Sequence, residues 1–326
     1  MSKGRLLSGM QPTGMLHLGN LEGALANWVK LQDEYESYFF IADWHSLTTM
    51  SDKTELIKKY TREVATDFLA AGLDPNKCSI FVQSDIKEHA ELHLLLSMTT
   101  PISWLERVPT YKEKQEQLHL ETISYGLMGY PVLMSADILI YKANAVPVGQ
   151  DQLPHLELTR EIGRRFNYIY GDTFPDCEAK LTEYPAMPGL DGRKMSKSYD
   201  NAIFIADTEE ETEKKVRSMY TDPLKMRRND PGHPEGCAVF AMHKIYNADE
   251  ATAIHARCES GEQGCIDCKK ALAGLLNDRL APMRERRREI EANPEILDDV
   301  LAAGADKARA IARETMVEVR KAMNLG

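Results

Sequence analysis

The sequence predicts an α/β chain built on a doubly wound parallel sheet, followed by an all-helical C-terminal domain. In the first half, short apolar strand-like runs alternate with amphipathic helix-like runs, which is typical of a parallel sheet with crossover helices. After about residue 200 the pattern is almost wholly helical. We therefore predict an α/β domain over residues 1–200 and a helical domain over residues 201–326.

The strands of the predicted sheet are short and apolar. Arg5–Ser8, Tyr38–Ala42 and Ser79–Gln83 are predicted as buried strands, and the strand pattern resumes near Val146. The helices between them have apolar residues at a spacing of three and four, which predicts a Rossmann-type arrangement. These helices cover Leu21–Gln32, Lys53–Ala71 and Gln152–Phe166.

A helical insertion is predicted within the α/β domain, at about residues 85–140, with Pro101 as a break. In the C-terminal domain, Thr208 and Glu211 form a capping-box pattern that opens a helix ending near Met219. Two long amphipathic patterns follow, Cys268–Glu291, interrupted by Pro282, and Glu295–Met323.

The bulk composition is that of an ordinary globular protein, with 326 residues, 43% apolar and 28% charged. No apolar run approaches the roughly 20 residues that span a bilayer, and the N-terminus has no signal-peptide core. We therefore expect a cytoplasmic protein without a membrane partner. The net charge of −10 means that any nucleic-acid partner must contact a local basic surface. The candidates are Lys225, Arg227 and Arg228, and further along the chain Arg284, Arg286, Arg287 and Arg288, although each run is equally explained as a solvated helix face or loop.

A glycine-rich turn joins the first predicted strand to the first predicted helix. It covers Ser8–Asn20 and includes Gly14, Gly19, His17 and Asn20. The carboxyl edge of a parallel sheet and a helix N-terminus together form an anion site. His17 and Asn20 can donate hydrogen bonds to phosphate oxygens. Such a turn is weak evidence alone, and neither the Walker nor the dinucleotide-binding spacing is present.

A basic loop is the second informative stretch. It covers Asp191–Ser198 and includes Lys194, Ser196 and Lys197. Two lysines that flank a serine suit a polyphosphate whose negative charge grows as a bond breaks. Taken alone, a loop of this composition is more often an exposed basic loop without a function.

Together the two stretches resemble the paired signatures of class I aminoacyl-tRNA synthetases. His17–Asn20, the first signature, corresponds to the "HIGH" motif with Asn at its last position, and Lys194–Ser198, the second signature, is an intact "KMSKS" motif. Other segments resemble the tryptophanyl-tRNA synthetase family specifically: Ser8–Gly14, Met134–Leu139, Val146–Gln152 and His155–Arg160. The resemblance extends over nearly the whole chain and implies that residues 201–326 bind the anticodon.

The resemblance implies a reaction in two steps. L-Tryptophan attacks the α-phosphorus of ATP, with Mg²⁺ on the phosphates, and the tryptophanyl group is then transferred to tRNA(Trp). The attacking carboxylate is already ionised, so catalysis depends on positioning and on stabilising charge at the leaving pyrophosphate. By position, these roles fall to His17, Asn20, Lys114, Lys194 and Lys197.

The resemblance also implies two binding sets. The ATP-binding residues are Gln11, Pro12, Thr13, Gly19, Asn20, Gly149, Gln150, Asp151, Ala186, Lys194, Met195, Ser196, Lys197 and Ser198. Asp137 is implied to accept the indole N–H, since a site built around such an acceptor can reject an analogue that lacks the donor by about 10⁴–10⁵. Without the neighbouring motifs, Asp137 is better explained as an N-cap or surface residue. The rest of the tryptophan pocket is implied to consist of Met134, His45, Val146, Val148 and Gln152.

Four of the six cysteines lie close together in the C-terminal third: Cys237, Cys258, Cys265 and Cys268. The tight Cys265–Cys268 pair with two further thiols suits either Zn²⁺ or an iron–sulfur cluster, and four unrelated buried thiols are the alternative. A subset of the resembling family has four cysteines at C-x₂₂-C-x₆-C-x₂-C and binds a [4Fe–4S] cluster. The first gap here is two residues shorter, and the other two gaps agree. The resemblance therefore implies a [4Fe–4S] cluster, with Zn²⁺ as the alternative.

Three rival functions remain to be distinguished. A tyrosyl-tRNA synthetase shares the fold, but the segment Val146–Gln152 favours tryptophan. A small nucleotidyltransferase would lack the second signature and the helical domain. An iron–sulfur protein on an inactive synthetase fold is disfavoured by the intact His17, Lys194 and Lys197. The family also implies a homodimer that contacts through the insertion helices, with one tRNA spanning both subunits.

Overall fold

The structure, a computed structural model, describes residues 4–108, 122, 124–181 and 187–325. Its five-stranded sheet has the order β3-β2-β1-β4-β5, and all neighbouring strands are parallel. The strands are β1 (Arg5–Met10), β2 (Glu36–Ile41), β3 (Cys78–Val82), β4 (Ala145–Val148) and β5 (Glu178–Leu181). The predicted doubly wound α/β fold is confirmed.

The helices occupy the connections and the C-terminal half. Those of the first half are α1 (Leu18–Asn20), a π-helical turn (Leu21–Leu25), α2 (Ala26–Leu31), α3 (Asp43–Met50), α4 (Thr54–Ala71), α5 (Glu88–Ser97), α6 (Ile102–Leu105), α7 (Tyr125–Ile140) and α8 (Leu153–Tyr170). The C-terminal helices are α9 (Glu209–Ser218), α10 (Ala238–Tyr246), α11 (Ala248–Glu259), α12 (Cys265–Ala292) and α13 (Pro294–Ala322). The capping box of Thr208 and Glu211 is present.

Strand β2 shows why the sheet is covered on both faces. Its side chains alternate between two hydrophobic clusters, with Phe39 in one and Tyr38 and Phe40 in the other. Trp28 stacks on Phe39, with ring centroids 4.8 Å apart, and Tyr141 stacks on Tyr38 at 5.2 Å. Since both faces are buried, the strand is a continuous apolar run rather than an alternating one.

The last two helices pack back on the α/β half. Helix α12 lies against α4, and α13 lies against β3, the strand at one edge of the sheet. The contact with β3 is so close that a Cβ atom at Gly304 would lie 1.9 Å from the carbonyl oxygen of Ile80. Only glycine fits there. The division of the chain at residue 200 stays a prediction.

Candidate active site

The two signatures lie side by side at the carboxyl edge of the sheet. The Leu18 N–H donates to the carbonyl of Ile203 at 2.9 Å, and the Ile205 N–H donates to the carbonyl of Leu16 at 2.9 Å. Residues 203–205 come shortly after the second signature. Their pairing with residues 16–18 therefore places Lys194–Ser198 close to the start of α1. The site lies between β1 and β4, where the strand order reverses, which is the usual ligand crevice of such sheets.

His17 is fixed in one orientation as the N-cap of α1. Its Nδ1 accepts the backbone N–H of Asn20 at 3.3 Å, and the Asn20 side-chain oxygen accepts the backbone N–H of His17 at 3.0 Å. Burial, together with the charges of Lys197 and Lys194, lowers the pKa of His17 to about 4. The imidazole is therefore neutral near pH 7, with its proton on Nε2 and available to a ligand.

Glycine is the residue type that fits at position 19, beside His17. A Cβ atom at position 19 would lie 2.9 Å from the Cε1 and Nδ1 atoms of the imidazole. Lys197 extends across the same turn and donates to the carbonyl of Gly14 at 3.0 Å. Burial lowers the pKa of Lys197 to about 8, and the negative charge of Asp67 opposes that shift.

The second signature is held by a residue that the sequence did not single out. Asn201, almost fully buried, accepts the Ser196 N–H at 2.8 Å and donates to the carboxylate of Asp191 at 2.7 Å and to the carbonyl of Lys194 at 3.2 Å. Met195 is buried in the core beneath the loop. Lys194 is left exposed beside the first signature.

A cavity of about 390 Å³ opens at the carboxyl ends of β1 and β4. Eight residues predicted for tryptophan or ATP line it: Gln11, His45, Met134, Asp137, Val146, Val148, Gly149 and Gln152. Its volume is within the ordinary range for a small-molecule site. The other predicted ATP residues that the structure describes lie outside this lining, on the turn after β1, in the two signatures and on the turn after β4: Pro12, Thr13, Gly19, Asn20, Gln150, Asp151, Lys194, Met195, Ser196, Lys197 and Ser198. Lys114 and Ala186 lie outside the described residues.

Asp137 is neither an N-cap nor a surface residue, because it lies inside α7 with 1% exposure. It accepts hydrogen bonds from His45 at 2.8 Å, His89 at 2.6 Å and Gln83, which reaches both carboxylate oxygens at 2.8 and 2.9 Å. His89 in turn accepts the hydroxyl of Tyr141 at 2.7 Å. Burial raises the pKa of Asp137, but the hydrogen bonds from His45 and His89 outweigh burial and hold the pKa below its ordinary value.

The four cysteines line one small cavity of about 20 Å³, together with apolar side chains that include Phe240 and Ile254. Burial and the neighbouring thiols raise the pKa of Cys268 to about 12. All six cysteines of the chain are free thiols. Within the described residues, no group of three or more His, Cys, Asp or Glu side chains is arranged as a metal site. The thiols converge, but they do not stand at coordinating positions.

The two basic runs, predicted as nucleic-acid surfaces or solvated faces, are partly buried. Arg284 and Arg287 are buried, as is Lys225, so neither run is a continuous basic face. Arg284 donates to the carbonyl of Asp207 at 2.7 Å and to the hydroxyl of Thr212 at 2.8 Å. These cations hold the C-terminal helices in place. In the part of the chain that is described, no helix is both long enough and apolar enough to cross a membrane.

Comparison with known proteins agrees with the resemblance. Residues 2–281 match the family model described as tRNA synthetases class I (W and Y). The chain is 53% identical to the tryptophan–tRNA ligase of Thermotoga maritima, over 98% of this chain and 99% of that one, and 47% identical to that of Aquifex aeolicus, over 98% and 100%. It superposes with a TM-score of 0.88 on the crystal structure of tryptophanyl-tRNA synthetase from Campylobacter jejuni complexed with ADP and tryptophan. That match has 37% identity and covers 98% of this chain and 100% of the other.

The match with the family model extends over most of the chain, and the curated relatives match along almost all of it. The chain therefore belongs to the class I tRNA synthetases for tryptophan and tyrosine, and its activity is the ATP-dependent ligation of tryptophan to tRNA(Trp) for translation.

Proposed function

We propose that tryptophanyl-adenylate forms at the crevice between β1 and β4, with the two signatures holding the triphosphate of ATP. The observation that supports this most directly is the pairing of the turn around Leu16 with residues 203–205. It brings together a neutral donor, His17, and two cations, Lys194 and Lys197. ATP would bring Mg²⁺ on its phosphates.

Each group has a distinct task in this proposal. The Nε2 proton of His17 and the side-chain amide of Asn20 donate to phosphate oxygens, and neither group brings a negative charge. Lys194 and Lys197 stabilise the charge that develops on pyrophosphate as it leaves. Gln11 and Gly149, at the ends of neighbouring strands, are placed for the ribose. Lys114 and Ala186, outside the described residues, are proposed for the triphosphate and the adenine on the resemblance alone.

Asp137 is proposed to select tryptophan through the indole N–H. A carboxylate has about four acceptor positions, and His45, His89 and the two contacts of Gln83 already use them. Binding of the indole N–H therefore requires Gln83 to give up one of its two contacts. The ADP and tryptophan in the Campylobacter jejuni relative support a shared site for a nucleotide and this amino acid.

The proposed nucleotide role is tested with Lys197→Ala. We expect ATP–pyrophosphate exchange to fall by about two orders of magnitude, as is found when a group that stabilises transition-state charge is removed. The dissociation constant for tryptophan should change less than twofold. Lys142→Ala, which breaks only a surface ion pair with Glu318, is the matched control. An unchanged exchange rate in Lys197→Ala would remove this lysine from the site.

We also propose that the four cysteines hold a [4Fe–4S] cluster, with Zn²⁺ as the alternative. Four soft donors around one apolar-lined cavity support a thiolate site, and Lys225 lies close enough to Cys258 to offset negative charge. The cavity of about 20 Å³ is little more than the space that one water needs, so the thiols must move apart to admit a cluster. The group would stabilise the junction of α10, α11 and α12 and takes no part in the reaction.

A homodimer is proposed through the insertion helices. Four apolar side chains on α5, at its C-cap and on α6 and α7 are each more than half exposed: Leu94, Met98, Ile102 and Tyr125. Exposed apolar side chains that group on one surface are typical of an interface, and we propose that these four do so. The C-terminal helices would bind the anticodon of a tRNA that spans both subunits. We propose the cytoplasm as the compartment, because the product is consumed by the ribosome.

A further inference from the structure

A buried ion pair connects the C-terminal helix α12 to the turn that carries the first signature. Arg287 on α12 donates to the carboxylate of Asp67 on α4, and the two residues are 6% and 0% exposed. The other carboxylate oxygen of Asp67 accepts the backbone N–H of Leu16 at 3.3 Å. Leu16 immediately precedes His17, so the chain of contacts ends at the nucleotide site.

The guanidinium of Arg287 is held as firmly as Asp67. It also donates to Glu63 at 2.7 Å and to Glu291 at 2.9 Å. Its donors form a rigid planar fork, which a lysine cannot reproduce. Because the guanidinium is anchored on three carboxylates, the Asp67 carboxylate has one available orientation.

The Leu16 backbone is consequently held on both sides. Asp67 accepts its N–H, and its carbonyl accepts the N–H of Ile205 from the segment after the second signature. The Leu16 side chain is fully buried. Through its hydrogen bond with the Leu16 N–H, Asp67 therefore fixes the position of this turn and of the His17 imidazole that follows it.

Two further observations connect α12 and Asp67, its ion-pair partner on α4, to the same site. Arg279 on α12 donates to Glu22 at 3.2 Å, in the π-helical turn that follows the first signature. The negative charge of Asp67 also favours the charged form of Lys197. The groups that face Lys197 are therefore the Gly14 carbonyl, the imidazole of His17 and the carboxylate of Asp67, and the Lys194 cation acts on the same imidazole.

We infer that Asp67 and Arg287 are positioning residues for adenylate formation, which hold Leu16 so that His17 and Lys197 meet the triphosphate. This inference rests on the proposed role of His17 and Lys197. It assigns a function in the nucleotide site to the helix that begins with Cys265 and Cys268, about 30 Å away along an ideal helix. Neither residue lines the active-site cavity.

The test uses two measurements on each variant. Pyrophosphate exchange gives kcat and KM for ATP, and equilibrium dialysis gives the Kd for tryptophan. For Arg287→Gln we expect kcat/KM for ATP to fall by about 10- to 100-fold, the scale of a misplaced catalytic group, while the Kd for tryptophan changes less than twofold. Arg286→Gln is the matched control, because the neighbouring arginine donates only to the carbonyl of Ala70 at the end of α4. It should leave both quantities within twofold of the wild type.

Asp67→Asn gives a readout that a purely structural role would not change. The amide oxygen can still accept the Leu16 N–H, but the negative charge beside Lys197 is removed. The pH at which ATP affinity begins to fall should then be lower than in the wild type. If Arg287→Gln does not fold, Arg287→Lys is used for the same comparison.

The outcomes separate this inference from the proposed function. If Lys197→Ala has normal exchange, the nucleotide roles fail and the inference falls with them. If Lys197→Ala is impaired while folded Arg287 and Asp67 variants have normal ATP parameters and a normal pH profile, only the positioning role is overturned. Equal losses for ATP and tryptophan would identify the pair as structural and would also overturn it.

Discussion

Asp137 accepts hydrogen bonds from three side chains, and this array keeps a fully buried carboxyl ionised. If Asn replaces Asp137, one acceptor oxygen becomes an NH₂ group, which then faces the hydrogen-bond donors that the oxygen accepted from. Asp137→Asn should therefore raise KM for tryptophan by about 10- to 100-fold, the range for losing a hydrogen bond to a charged group. KM for ATP should remain within about threefold of the wild type.

The control for this variant is Asp43→Asn. Asp43 is a partly buried aspartate that accepts the backbone N–H groups of Trp44 and Ser84 and interacts with the Ser84 side chain, and it does not line the cavity. Its tryptophan kinetics should stay near those of the wild type. A wild-type KM for tryptophan in Asp137→Asn, measured by initial rates of pyrophosphate exchange, would exclude the carboxylate as the indole acceptor.

Lys197 makes nucleotide binding depend on pH. Its pKa is lowered to about 8, so the lysine is charged below pH 8 and loses its charge as the pH rises through that value. We expect the affinity of the free enzyme for ATP to fall between about pH 7 and pH 9. In Lys197→Arg the guanidinium keeps its charge over this range, so the decline should disappear. A decline of the same size in both proteins, measured by ATP titration, would assign the titration to another group.

At the scale of single residues, the sequence predicted the site residues that stand in local motifs. It missed the residues that reach the site only through tertiary contacts. His17, Lys194 and Lys197 stand in short recognisable motifs. Gln83 and His89, which hold Asp137 from a distance of about 50 positions along the chain, show no pattern of their own. Asn201 lies just beyond the second signature, and its buried hydrogen bonds to that loop are visible only in three dimensions.

At the scale of elements, periodicity predicted the central strands and the long helices, because their apolar residues recur at a regular spacing along the sequence. It missed β5, since Glu178–Leu181 is a partly exposed edge strand without an apolar run, and it missed α3. The predicted interruption at Pro282 is wrong. Helix α12 continues through it, because Leu280 and Met283 on either side are buried and offset the lost backbone hydrogen bond.

The junction of α10, α11 and α12 provides an element-scale prediction. Protein purified without oxygen should contain about four irons and four sulfides per chain, or one zinc if that alternative holds. Removing the metal with a chelator should lower the Tm, because bound metal stabilises the folded state by mass action. Pyrophosphate exchange should persist below the new Tm, since the cysteines do not line the active-site cavity.

Cys268→Ser removes one of the four thiols, and Cys177→Ser is the control, because Cys177 is a buried thiol outside the cluster. Metal content should drop in the first variant alone. If anaerobic protein contains neither iron nor zinc, the four thiols are only part of the hydrophobic core.

At the scale of the whole molecule, the exposed apolar residues on the insertion helices predict a dimer. Light scattering should give the mass of two chains, and Leu94→Glu with Ile102→Glu should give the mass of one, because buried charges destabilise an interface. Val317→Glu, at an exposed apolar position on α13, should remain dimeric. A wild-type protein that is monomeric at micromolar concentration would contradict the proposed assembly.

Selection of tryptophan at the crevice between β1 and β4 is tested most directly by ATP–pyrophosphate exchange with each of the twenty amino acids, in wild type and in Asp137→Asn. We predict exchange with tryptophan alone in the wild type, and a raised tryptophan KM with little change in the ATP KM in the variant. Exchange supported by tyrosine, or an Asp137→Asn enzyme with wild-type tryptophan kinetics, would contradict the assignment of this pocket.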